Sequence, residues 1–151
     1  GEAFTRDALI DHFASLAKRH PIISIEDPLG EDDFEGFAQI TARLPGVMIV
    51  GDDLFVTTKS RVERGIRERA GNAVLVKLNQ AGTLTRTLDT IQTARRAGMN
   101  NVISHRSGET ESTFIADLAV AVNAPYIKTG APARSERVAK YNRLLAIESG
   151  L

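Results

Sequence analysis

The chain has 151 residues, 42% of them hydrophobic and 25% charged, and its 19 basic side chains balance 19 acidic ones. That is the composition of one soluble globular domain, and the zero net charge leaves no basic surplus to attract nucleic acid or an anionic membrane surface. There is no cysteine, which excludes disulfides and thiolate metal sites and agrees with a cytoplasmic protein, and no apolar run approaches the roughly 20 residues of a membrane span.

The opening segment, residues 1–20, is charged and amphipathic and lacks the apolar core of a signal peptide. A first helix is predicted from Thr5 to Arg19, with Leu9, Phe13 and Leu16 on one face and Pro21 beyond its end. Ile22 to Ile25 reads as a short apolar strand. A second helix begins near Glu31-Asp32-Asp33, whose charges suit a helix N-terminus, and carries Phe34, Phe37, Ala38 and Leu44. Val47 to Val50 is the second strand. Helix 59–70 carries Val62 and Ile66, strand 73–76 is Ala-Val-Leu-Val, and helix 82–97 carries Leu84, Leu88 and Ile91 before Gly98, a suitable left-handed cap. Strand 101–103 precedes helix 111–123, with Phe114, Leu118 and Val122. A last strand, Tyr126-Ile127, leads to a helix capped by Ser135 and carrying Val138, Tyr141 and Leu145. Five apolar strands alternating with six amphipathic helices predict βα units around a parallel sheet. No linker or low-complexity segment interrupts them, so a single domain over 1–151 is expected.

Each strand ends in polar residues: Glu26, then Asp52 and Asp53, then Lys77, then His105 and Arg106, then Lys128. The spacings from Glu26 through Asp52, Lys77, His105 and Lys128 are 26, 25, 28 and 23 residues. A TIM barrel uses about 250 residues for eight such units and places its catalytic groups at the C-terminal ends of the strands. Carboxylates in that layer suit a hard cation such as Mg²⁺, and neighbouring cations suit a phosphorylated or carboxylated substrate. For a single strand-end carboxylate, helix capping or a salt bridge accounts for it equally well. Five successive strand ends weaken that alternative, and a lysine directly after Ala-Val-Leu-Val is expensive to desolvate unless it is used. Arg106-Ser107-Gly108, just before a helix, offers amide and side-chain donors to a phosphate.

These residues carry a resemblance. Ser24-Ile25-Glu26-Asp27-Pro28, Gly51-Asp52-Asp53-Leu54, Lys77-Leu78-Asn79-Gln80, the run Ser104-His105-Arg106-Ser107-Gly108-Glu109-Thr110-Glu111, and Ile127-Lys128-Thr129-Gly130 resemble successive enolase segments in order and spacing. The tail from Arg134 to Asn142 is similar to the enolase C-terminal helix. The resemblance covers the chain from about residue 4 onward. It implies the C-terminal part of the enolase TIM barrel and Mg²⁺-dependent dehydration of 2-phosphoglycerate to phosphoenolpyruvate. It further implies Glu26 and Asp52 as metal ligands, Lys77 as the base at C2, and Lys128 on the substrate carboxylate. Arg106 and Ser107 would take the phosphate, with His105 beside the substrate.

The third metal carboxylate, the glutamate that protonates the leaving hydroxide, and the first barrel strands of enolases have no counterpart in the 151 residues. The isolated chain is therefore expected to be inactive or nearly so. Five strands cannot close an eight-stranded barrel, so another chain or a second copy is expected to complete the open edges. The alternative is a non-catalytic barrel fragment serving as an assembly or binding module. His12 and His20 read as surface residues and Arg61 to Arg69 as a solvated helix face. Asp53 reads as support for Asp52, while Asn79 and Gln80 either line the pocket or simply end the strand.

Overall fold

The computed structural model describes residues 4–150, which fall into two compact units, Gly1–Asn100 and Asn101–Leu151. The first holds α1 (Arg6–Arg19), β1 (Ser24–Glu26), α2 (Phe34–Arg43), β2 (Met48–Gly51), α3 (Lys59–Glu68), β3 (Ala73–Val76), α4 (Leu78–Ala81) and α5 (Leu84–Arg96). The second is built from β4 (Asn100–Ser104), whose first residue still belongs to the first unit, α6 (Phe114–Ala121), β5 (Tyr126–Lys128) and α7 (Ser135–Ser149). The five predicted strands are all present. Among the described residues no helix is long and apolar enough to cross a membrane.

In the first unit β1 pairs parallel with β2, Ile25 opposite Ile49, and β2 pairs parallel with β3, Val50 opposite Ala73. All four residues of β3 are buried, as expected of a parallel strand covered on both faces. Asn72 secures the start of β2: its Oδ1 accepts from Ile49 N at 2.7 Å and its Nδ2 donates to Val47 O at 3.0 Å. Phe34, Phe37 and Ile40 of α2 and Val62 of α3 are fully or almost fully buried. Phe55 fills the space left by two glycines. A Cβ on Gly51 or Gly65 would stand 2.5 Å from its ring, so neither position accepts a larger residue. In the second unit β4 and β5 are parallel, with Ile103 opposite Ile127, and α6 packs on α7.

Several helices differ from the sequence expectation. The core face of α1 is Ile10 and Ala14, flanked by the half-buried Leu9, Phe13 and Leu16. Helix 82–97 is two elements, because Gly82 at φ +83° ends the short α4 and Thr83 caps α5 through Arg86 N. There are thus seven helices among the described residues where six were expected. The inward face of α5 is Thr87, Thr90, Ile91 and Ala94, while Leu84 and Leu88 are exposed. Helix α6 starts at Phe114, itself 48% exposed, and buries the expected Leu118 together with Ala116 and Ala119. Helix α7 is capped by Arg134 at φ +68° with no side-chain bond, so Ser135 is its first helical residue and not its cap. Gly98 has the expected left-handed φ of +77° just past α5.

Candidate functional site

In the first unit the chemistry gathers where β1, β2 and β3 end. Glu26 is the exposed last residue of β1, and its neighbour Asp27 turns the chain at φ +42°. That left-handed turn, unusual for a residue other than glycine, brings the Asp27 carboxylate onto the next strand end. Its Oδ1 accepts from Asp52 N at 2.9 Å and its Oδ2 from Asp53 N at 2.8 Å. Burial pushes the Asp27 carboxyl above its ordinary range, and the two amides only partly offset this. Asp27, Asp52 and Asp53 each bring a carboxylate oxygen within 4.8 Å of the others.

Asp52 is buried. Its Oδ2 meets Lys77 Nζ at 2.5 Å, with the two side chains 11% and 13% exposed. Its Oδ1 is buried with no hydrogen-bond partner among the described residues. A carboxylate oxygen left dry and unpaired is costly, and a cation is the partner that would satisfy it. The donor set, all oxygen with no sulfur or nitrogen, fits a hard divalent ion. With both oxygens of Asp27 engaged by amides, that residue anchors the loop that carries Asp52. The structure thus joins Asp52 to Lys77 and groups the carboxylates of Asp27 and Asp53 with that of Asp52.

Lys77 follows the buried strand β3 directly. Its backbone N–H donates to Thr57 Oγ1 at 2.9 Å, and that hydroxyl donates to Gln80 Oε1 at 2.8 Å. Thr57 is 1% exposed, and with Val56 it forms a pair of β-branched residues at φ +46° and +48°. Such residues rarely adopt this region, and the strain is sustained only where surrounding bonds fix it. The loop after β2 is thereby tied to the base of Lys77, and Thr90 Oγ1 adds a bond to Thr57 O at 3.3 Å. Gln80 supports Thr57 while Asn79 is exposed. Asp53 is exposed.

The arginine run on α3 is only partly solvated. Arg61 reaches back to Leu54 O and Glu31 O, both at 2.6 Å, and Arg64 lies 3.9 Å over the Phe34 ring. His12 and His20 are exposed, as expected.

In the second unit the loop after β4 carries His105, Arg106 and Ser107, and β5 ends on the exposed Lys128. His105 N donates to Lys128 O at 2.9 Å, which aligns the two strand ends. Helix α7 holds this loop from beneath. Arg137 donates to Arg106 O at 2.9 Å and to Ser107 O at 3.0 Å. The fully buried Lys140 donates to Thr110 O and to Glu136 O and lies 3.7 Å from Glu109. Glu109 accepts from Arg106 N and Thr110 N. Burial opposes its ionisation, yet those amides with Lys140 and Arg137 keep its carboxyl below the ordinary range. Ser107 is exposed. The roles of Asp27, Thr57, Arg137 and Lys140 were not read from sequence. Each lies about 20 residues or more from the group it supports, and only the pairing of strands and helices brings them together.

A parallel β/α arrangement with acidic and basic groups at the strand ends defines a class, the barrel enzymes whose sites form at the C-terminal ends of the strands. Residues 1–151 match the family model for the enolase C-terminal TIM barrel domain, and the chain belongs to that family. It is 57% identical over 152 residues to the enolase of Acidothermus cellulolyticus, an alignment spanning 100% of this chain and 35% of that protein. The chain thus spans about a third of the length of this curated relative, and its fold is a partial TIM barrel.

Proposed function

We propose that this chain supplies the proton-abstracting and anion-binding part of an enolase, a cytoplasmic glycolytic lyase that converts 2-phosphoglycerate to phosphoenolpyruvate. The observation that carries the reading is the Asp52 carboxylate, with Lys77 on one oxygen and a buried, unpartnered second oxygen. Asp52 and Glu26 would hold Mg²⁺, with Asp27 fixing Asp52 through the loop backbone. Bound Mg²⁺ supplies positive charge against the negative charge that develops on the substrate carboxylate.

Lys77 Nζ would take the C2 proton. To do so it must first give up the proton it shares with Asp52, since only the neutral amine is a base. Lys128 would bind the substrate carboxylate. Arg106 and Ser107 would bind the phosphate, with the guanidinium giving bidentate, charge-assisted bonds and the hydroxyl a further donor. His105 would lie beside the substrate. The hydroxide leaving C3 needs a general acid, which this reading assigns to segments supplied by the remainder of an enolase, in the same or another chain. Those segments would also complete the barrel edges.

The test is phosphoenolpyruvate formation by the 151-residue chain alone and joined to the preceding part of the Acidothermus enolase. The expected result is no turnover alone and Mg²⁺-dependent turnover in the joined protein. Turnover at full rates by the chain alone, or a joined protein indifferent to Lys77→Ala, overturns the reading.

A further inference from the structure

In the second unit, Arg137 Nη1 lies 2.6 Å from His105 Nδ1 while also donating to Arg106 O. A guanidinium carries only donors and keeps its charge throughout the working pH range. The ring nitrogen facing it must therefore accept, so Nδ1 carries no proton. A neutral imidazole has one N–H, which is then on Nε2.

The surroundings hold this arrangement in place. His105 N is bonded to Lys128 O, which fixes the backbone from which the ring projects. Gly130, at φ +84°, lies against both partners. A Cβ there would stand 3.0 Å from His105 Cε1 and 3.0 Å from Arg137 Cδ. The Tyr141 hydroxyl of α7 donates to Gly130 O, so one helix fixes the glycine and the guanidinium together. The charged groups acting on His105 are Arg137 and Lys140 from α7, Lys128 from β5, and Glu109 from its own loop. Three cations outweigh one carboxylate. Burial first, then Arg137 and Lys128, hold the imidazole below the ordinary histidine range.

We propose that Arg137 is a positioning residue that locks His105 as a neutral Nε2–H donor, so that His105 binds an oxygen of an anionic ligand and does not carry protons. The choice of ligand rests on the reading of His105 as a substrate neighbour, whereas the locked tautomer does not. It follows that His105 is not the acid that protonates the leaving hydroxide.

The experiment is long-range proton–nitrogen NMR of ¹⁵N-histidine-labelled chain across a pH series, with His105→Gln to assign the signal and the same chain unfolded in urea as the reference. The folded wild-type chain is expected to show His105 with Nδ1 unprotonated and Nε2 protonated, persisting at pH values where the histidines of the unfolded chain have become charged. Arg137→Leu should move the His105 titration toward that of the unfolded reference, and Arg137→Lys, which keeps a cationic donor, should restore most of the difference. Three results overturn the proposal: a folded wild-type His105 that titrates with the unfolded reference, a proton on Nδ1 in the neutral ring, or an Arg137→Leu spectrum identical to wild type. If Arg137→Leu unfolds, the wild-type titration and the Arg137→Lys series decide. No turnover is measured, so the outcome is separate from that of the Lys77 assay.

Discussion

Replacing Lys77 with methionine keeps most of the buried stem and removes only the ammonium. Asp52 would then have one oxygen freshly stripped of its partner and another that already has none. Removing one member of a buried ion pair typically costs about 3–5 kcal/mol, because the remaining charge is left uncompensated. The two side chains retain 13% and 11% exposure, so water relieves part of this and the lower end, about 3 kcal/mol, is expected. The backbone bond from Lys77 N to Thr57 survives the change and adds nothing to the loss. Urea denaturation of the 151-residue chain without divalent ions, followed by circular dichroism, measures it. The double variant Lys77→Met/Asp52→Asn should recover most of the loss, since no unpaired charge remains. A loss below about 0.5 kcal/mol for Lys77→Met would place the pair among solvent-screened surface contacts and refute the argument.

Mg²⁺ should raise the unfolding temperature of the chain, with about 2.7 kcal/mol of stabilisation at a hundredfold excess over its dissociation constant, and Asp52→Asn should abolish the shift in differential scanning calorimetry. Thr57→Val should cost about 1–3 kcal/mol in urea denaturation because Lys77 N–H loses its acceptor in a buried setting, whereas Thr57→Ser should cost clearly less. Acidification should destabilise the chain in two windows. His105 binds its proton less readily folded than unfolded, so stability falls as pH drops below about 6.5, and His105→Gln should flatten this part of a pH–stability profile. Glu109 is depressed below its ordinary 4.5, so its contribution is present above that value and lost as pH falls further, while the raised Asp27 carboxyl acts in the opposite sense.

The strand ends were legible because a buried parallel strand announces itself as an apolar run, and the first polar residue after it has one place to go. Lys77 after Ala-Val-Leu-Val is the clearest case, and the structure puts its ammonium on the Asp52 carboxylate at the neighbouring strand end. The helix faces were less legible. Threonine can be buried when its hydroxyl bonds back to the preceding turn, as Thr87 does to Thr83 O and Thr90 to Arg86 O. A reading that counts only Leu84, Leu88 and Ile91 as core is then right for Ile91 but takes two exposed leucines for core. The element α4 was missed because four residues before a glycine carry no helical period. Asp27 gave no sign of its role, since its carboxylate reaches the next strand only through a left-handed turn that aspartate seldom adopts. Arg137 sits 32 residues from His105, a distance closed only by the packing of α7.

The most direct test of the account is exchange of the C2 proton of 2-phosphoglycerate in deuterated buffer, because it isolates the step assigned to this chain from the departure of hydroxide. The chain joined to the preceding part of the Acidothermus enolase should exchange that proton in a Mg²⁺-dependent manner, and Lys77→Ala should abolish the exchange. Exchange that persists undiminished in Lys77→Ala would contradict the account.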